Sequence, residues 1–179
     1  MLESAKALDR FLAAVERRAF VMARLATGST DEALDIVQDA MLQLVQSYGN
    51  RGEQEWGPLF HTILQSRITD WYRREKVRRR FQVWFGKQDE ADEADPLENI
   101  ADGRSPKPPG QLQDKQAMAA LEAAIQKLPA RQQQAFLLRV WEGLDVEQTA
   151  HAMKCSQSSV KTHYSRAVHA LRVKLEDHL

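Results

Sequence analysis

The stretch from Asp145 to Arg172 constrains the fold more than any other part of the chain. Two helical patterns flank the short segment Lys154-Cys155-Ser156. Asp145 suits the cap of the first helix, with Gln148 three residues on as its capping-box partner. Ser156 suits the cap of the second, because its hydroxyl can accept an orphan backbone N–H of the first turn. In that second helix Val160, Tyr164, Ala167 and Leu171 recur at helical spacing and mark a buried face. Lys161, Thr162, Ser165, Arg166 and His169 fall opposite, on a side that is polar, cationic and free of carboxylates. Ala150 is small where the two helices must cross. A helix that shows donors and positive charge outward, braced by a shorter one, fits the DNA major groove. The simpler alternative is an ordinary helical hairpin with a solvated face.

Length and charge narrow the rest. The 179 residues suffice for one domain or two small ones. Lysine plus arginine equals aspartate plus glutamate, 25 each, so net charge says nothing about partners; the separation of the blocks along the chain does. Cys155 is the single cysteine, which excludes a disulfide within this sequence and fits a reducing compartment. No apolar run approaches the roughly 20 residues that span a bilayer. The first ten residues mix acids and bases without an apolar signal core. A cytoplasmic protein without membrane insertion is expected.

Taken in order, residues from about Glu3 to Ala26 read as a helix with Leu8, Leu12, Val15, Ala19 and Met22 on one face. Ser29 with Glu32 is a capping-box signature for the next helix. That helix turns Ala33, Val37, Ala40, Met41 and Leu44 inward, and Asp35, Gln38, Asp39, Gln43 and Gln46 outward. Its acids can serve solubility, or offer carboxylates to arginines of a partner helix. Glycines punctuate Tyr48 to Gly57, which is expected to be a loop, with Trp56 inside it and Pro58 at the first position of a third helix. The third helix should bury Phe60, Leu64, Ile68 and Trp71. It ends in Arg73 to Arg80, where six of eight residues are basic. Beside Trp56, Trp71 and Tyr72, such a run suggests nucleic acid, since arginines neutralise phosphates and rings accept unstacked bases. The helix dipole alone accounts for only part of that charge.

From Gly86 to about Gly110 acids predominate (Asp89, Glu90, Asp92, Glu93, Asp95, Glu98, Asp102), followed by Ser105-Pro106-Lys107-Pro108-Pro109. This reads as a linker. Val83, Trp84 and Phe85 before it are apolar enough to dock locally. A further helix places Met118, Leu121, Ile125 and Leu128 on one face. Pro129 opens another, with Phe136, Leu137 and Val140 inward, and Gly143 fits its C-terminal cap. No useful strand alternation occurs. The expected fold is all-α: two small helical domains, residues 1–85 and 113–179, joined by an acidic, proline-rich linker at 86–112.

These residues resemble a family. Asp35-Ile36-Val37-Gln38-Asp39 resembles the Asp-Leu-Val-Gln-Glu signature of region two in bacterial RNA polymerase sigma factors of the extracytoplasmic-function (ECF) type. Trp56 through Arg74 resembles the melting and minus-ten segment, with Asp70, Arg73 and Arg74 matching its closing Asp-x-x-Arg-Arg. Leu128-Pro129-Ala130-Arg131-Gln132 resembles the start of region four. Val160-Lys161-Thr162 with Arg166-Ala167 resembles the recognition helix. The motifs span nearly the whole chain in the right order. Three positions depart from the pattern: Leu59 stands where tryptophan is usual, Ser66 where asparagine is common, and Lys154 where the helix-turn-helix has glycine.

The resemblance implies roles. Asp35, Gln38, Asp39 and Leu42 would bind core RNA polymerase. Trp56, Ser66, Asp70, Trp71, Arg73 and Arg74 would serve the minus-ten element, and Ser158, Lys161, Thr162, Ser165 and Arg166 the minus-thirty-five element of promoter DNA. An anti-sigma factor is the implied regulator. The protein would act as a monomer, use no cofactor or metal, and leave catalysis to the polymerase. A dimeric helix-turn-helix regulator accounts for residues beyond Leu128 but not for Asp35–Asp39 or Trp56–Arg80. A metal enzyme would have to draw on His61, His151, Cys155, His163 and His169, which form no recognised ligand motif.

Overall fold

The computed structural model describes residues 2–84 and 109–176, with side chains from Glu3 to Trp84 and from Asp114 to Glu176. Every regular element among them is helical. The acidic stretch Asp89–Asp102 and the segment Ser105–Pro108 lie outside the described residues.

The first half is three helices: α1 (Leu2–Thr27), α2 (Thr30–Tyr48) and α3 (Glu53–Trp84). Gly28, at φ 71°, closes α1 and lets the chain reverse at once. Ser29 then caps α2 by accepting the Glu32 N–H at 3.4 Å. Ala33 and Ala40 are fully buried on α2, with Ile36, Val37 and Leu44 beside them. Small residues at these points let α1 and α3 approach closely.

The segment before Pro58 differs from the expected loop. Helix α3 starts at Glu53 and carries Pro58 inside it. Pro58 lacks an N–H, so it forfeits one hydrogen bond to the preceding turn. The burial of Trp56 compensates. Its ring is 1% exposed, lies 5.9 Å from Phe11, and donates its indole N–H to the Tyr48 carbonyl at 3.2 Å. Beyond Tyr72 the helix projects outward, and Val83 and Trp84 are almost fully exposed rather than docked.

The second half holds α4 (Pro109–Gln126), α5 (Ala130–Phe136), a π-turn (Leu137–Trp141), α6 (Val146–Met153) and α7 (Gln157–Leu175). Its core is Ala124, Ile125, Leu128, Ala135, Leu138, Met153, Val160, Ala167 and Leu171. Two expected core residues, Met118 and Val140, are more than half exposed. For Val140 the reason is the π-turn. The Glu142 N–H reaches back to the Leu137 carbonyl at 3.1 Å, five residues away. The wider turn shifts the phase, so Leu138 faces inward and Val140 outward. No described helix is long and apolar enough to cross a membrane.

Candidate nucleic-acid interface

The helix-turn-helix forms as its local signals dictate. The Asp145 carboxylate accepts the Gln148 N–H at 2.8 Å, and the Gln148 side chain accepts the Asp145 N–H at 2.9 Å. Thr149, fully buried, adds a hydroxyl bond to the Asp145 carbonyl at 2.6 Å. Lys154 takes the left-handed conformation at φ 53°, ψ 48°, in the place that glycine fills most cheaply. Ser156 then accepts the Ser159 N–H at 3.1 Å and starts α7.

Val160, Ala167 and Leu171 anchor α7 to the core. Ser158, Lys161, Thr162, Ser165 and Arg166 all lie on its exposed side. Two contacts fix the helix from behind: Tyr164 stacks on Phe136 at 6.5 Å between centroids, and Arg139 lies over the Tyr164 ring at 5.8 Å. Arg139 also donates to the Leu144 carbonyl. Sequence patterning did not mark Arg139, because its partners come from a different helix and a loop. His163 is held below its ordinary pKa, first by burial and then by the Arg131 and Arg166 charges.

The other candidates gather on α3 and α2, except Trp56. Trp56, at 1% exposed, has neither ring face open to a base in this conformation and serves the core of the first three helices. Ser66, Asp70 and Arg73 share one side of α3, with an Asp70–Arg73 ion pair at 3.7 Å. Trp71 and Arg74 turn the other way, toward Asp35, Gln38 and Asp39 of α2, across a cavity of about 450 Å³. Glu75 holds Arg78 at 3.1 Å and Arg79 at 3.3 Å, the one acid in a cationic run. Leu42 is exposed beside Asp39, and so are Leu34 and Val45. Sequence reasoning passed over these last two, which make the outer side of α2 part acidic and part apolar. Among the described residues no group of three or more His, Cys, Asp or Glu is placed to hold a metal.

The family described as Sigma-70, region 4 matches residues 118–171, which include all of α6 and α7 as far as Leu171. The RNA polymerase sigma-E factor of Streptomyces antibioticus is 30% identical over 146 residues, covering 81% of this chain and 71% of that protein. The chain belongs to the ECF sigma factors. The ECF RNA polymerase sigma factor BldN of Streptomyces coelicolor is 28% identical over 152 residues, 84% of this sigma factor and 53% of BldN. The fold resembles that of the sigma factor RpoE from Bartonella quintana, solved in complex with the anti-sigma factor NepR. The TM-score is 0.64 at 24% identity, over 94% of this chain and 96% of that one. As a member of its family, this sigma factor directs transcription initiation, and the region-four match takes in α7 as far as Leu171.

Proposed function

We propose that this sigma factor grips a promoter at two points while held on core RNA polymerase. Residues 1–85 act as region two, 86–112 as a linker and 113–179 as region four. Ser158, Lys161, Thr162, Ser165 and Arg166 read the minus-thirty-five duplex in the major groove. Ser66, Asp70, Trp71, Arg73 and Arg74 serve the minus-ten segment, and the exposed arginines beyond them track phosphates. Asp35, Gln38, Asp39 and Leu42 form the polymerase contact. Two carboxylates beside an apolar stripe suit a partner helix that presents arginines and aliphatic side chains. The chain supplies no bond-making chemistry, works as a cytoplasmic monomer, and is held in check by an anti-sigma factor.

The observation that carries this reading is the outer side of α7. Five polar or cationic side chains stand exposed on a helix whose start, turn and rear contacts are all fixed. A reader held this rigidly loses little entropy on binding. The test is a Lys161→Ala, Arg166→Ala double variant, assayed with core polymerase on fragmented genomic DNA. Promoter-directed transcripts should disappear while the variant still co-elutes with the core enzyme. Loss of core binding in this variant would overturn the assignment of roles. A dimeric regulator would instead bind DNA alone as a two-fold complex, and nothing on α1 to α3 calls for that.

A further inference from the structure

The two helical halves are fastened to each other at two points, and a cationic cleft lies beside them. Gln133, 1% exposed, donates its amide to the Leu25 carbonyl at 3.2 Å and accepts the Tyr72 hydroxyl at 2.7 Å. At the π-turn, the Trp141 indole donates to the Arg18 carbonyl at 3.2 Å. These contacts set the spacing between α3 and the elements that face it.

The cleft holds about 360 Å³, within the range of small-molecule sites. Ser66 and Thr69 line its α3 wall, with Asp70 and Arg73 at the exposed rim, and Arg131 and Lys154 stand opposite. Three cations therefore meet one carboxylate. The Asp70–Arg73 pair, at 3.7 Å and largely exposed, answers one of them. Among the described residues neither Arg131 nor Lys154 has a carboxylate partner. Like charges that converge in a cleft repel until an anion joins them.

Arg131 is held in place. It donates to Gln134 Oε1 at 3.0 Å, and the Gln134 amide donates in turn to the Thr69 hydroxyl at 3.0 Å, linking the two walls. Lys154 supplies an independent observation. Among the described residues it alone has a positive φ without being glycine. Backbone strain of this kind concentrates at ligand sites, and here it brings an ammonium to the cleft. Gln65, 2% exposed, also borders the cleft, and its Oε1 is buried with no partner among the described residues. That oxygen suits a ligand hydroxyl.

We propose that this cleft binds a small phosphate monoester, a terminal phosphate on a hydroxylated metabolite, which bridges the two halves. A terminal phosphate is close to a dianion near neutral pH and presents three acceptor oxygens. It thus matches three cations less one carboxylate. A phosphodiester of DNA offers one charge and two free oxygens. A cleft of this volume is also only about 7 Å across, whereas the major groove of a duplex alone is about 12 Å wide. The monoester is held by charge-assisted hydrogen bonds from both halves: Arg131 and Lys154 on one side, Arg73 and the Ser66 hydroxyl on the other. The site stands whichever DNA element α3 serves.

The test is calorimetric titration of the full chain with ribose 5-phosphate and, separately, inorganic phosphate, at an ionic strength fixed with chloride. Ribose 5-phosphate should saturate one site per chain, and ribose should not bind. Lys154→Gly and Arg131→Gln should each weaken binding about tenfold or more. Arg10→Ala, which removes an exposed cation of α1, should leave it unchanged. Lys154→Gly relieves backbone strain, so its loss of binding is not a folding defect. No saturable binding of either phosphate probe, or binding that survives both cleft substitutions, would overturn the site. If a single-stranded oligonucleotide without terminal phosphates binds instead, and both substitutions weaken it, the cations serve DNA and the small-ligand proposal fails.

Discussion

The Tyr72 hydroxyl donates to Oε1 of Gln133 across 2.7 Å, joining the last buried turn of α3 to the first turn of α5. The same hydroxyl lies 3.1 Å from the Ala26 carbonyl, a second acceptor that ties it to the end of α1.

That relationship predicts a stability change in alkali. Burial pushes the Tyr72 phenol from its ordinary 10.0 up to about 12. Between those values the folded chain keeps a proton that the unfolded chain has lost. The contribution is complete below pH 10 and is lost as the pH rises toward 12. Urea unfolding of the wild type should therefore weaken more steeply than that of Tyr72→Phe between about pH 10 and about pH 12. Parallel curves would refute this.

Trp56 should behave as core. Trp56→Ala is expected to cost about 3–5 kcal/mol of folding stability, the range for a large aromatic deleted from a packed interior. A surface base-stacker would cost within about 0.5 kcal/mol. Thermal and urea melts of the variant decide between them.

Lys154 pays for its left-handed backbone. Lys154→Gly should raise the stability by about 1 kcal/mol, the order of the strain that a Cβ suffers there. Lys154→Ala should give no such gain, since it keeps the Cβ. The measurement is the urea midpoint at unchanged slope.

Salt dependence should report on α7. Holoenzyme carrying Lys161→Ala and Arg166→Ala should bind promoter duplex with a log affinity against log salt slope shallower by about 2, near one unit for each cation withdrawn from the polyanion. Thr162→Ala should weaken binding with the slope unchanged. A double variant that keeps the wild-type slope would remove these two side chains from the DNA contact.

Much of this molecule was legible locally. The Asp145–Gln148 box, the Ser29 and Ser156 caps, and the inward spacing of Val160, Ala167 and Leu171 depend on residues a few positions apart, and all of them form. The exposed polar side of α7 followed, because its orientation is fixed once the buried side is known. Other features were hidden for one reason: their partners are remote. Trp56 resembled a loop aromatic until Phe11 and the Tyr48 carbonyl closed around it. Val140 fitted an α-helical stripe until the π-turn changed its phase.

By itself the sequence determined the helices, their caps and the polar side of the recognition helix, since periodicity and capping act within a turn or two of chain. Only the tertiary structure decided which buried side each aromatic serves, and that Gln133 and Trp141 bind the two halves together. Neither glutamine nor tryptophan carries a signal of its destination. A buried amide or indole N–H is satisfied only where folding brings a distant carbonyl within reach, and that distance is written nowhere in the local order of residues.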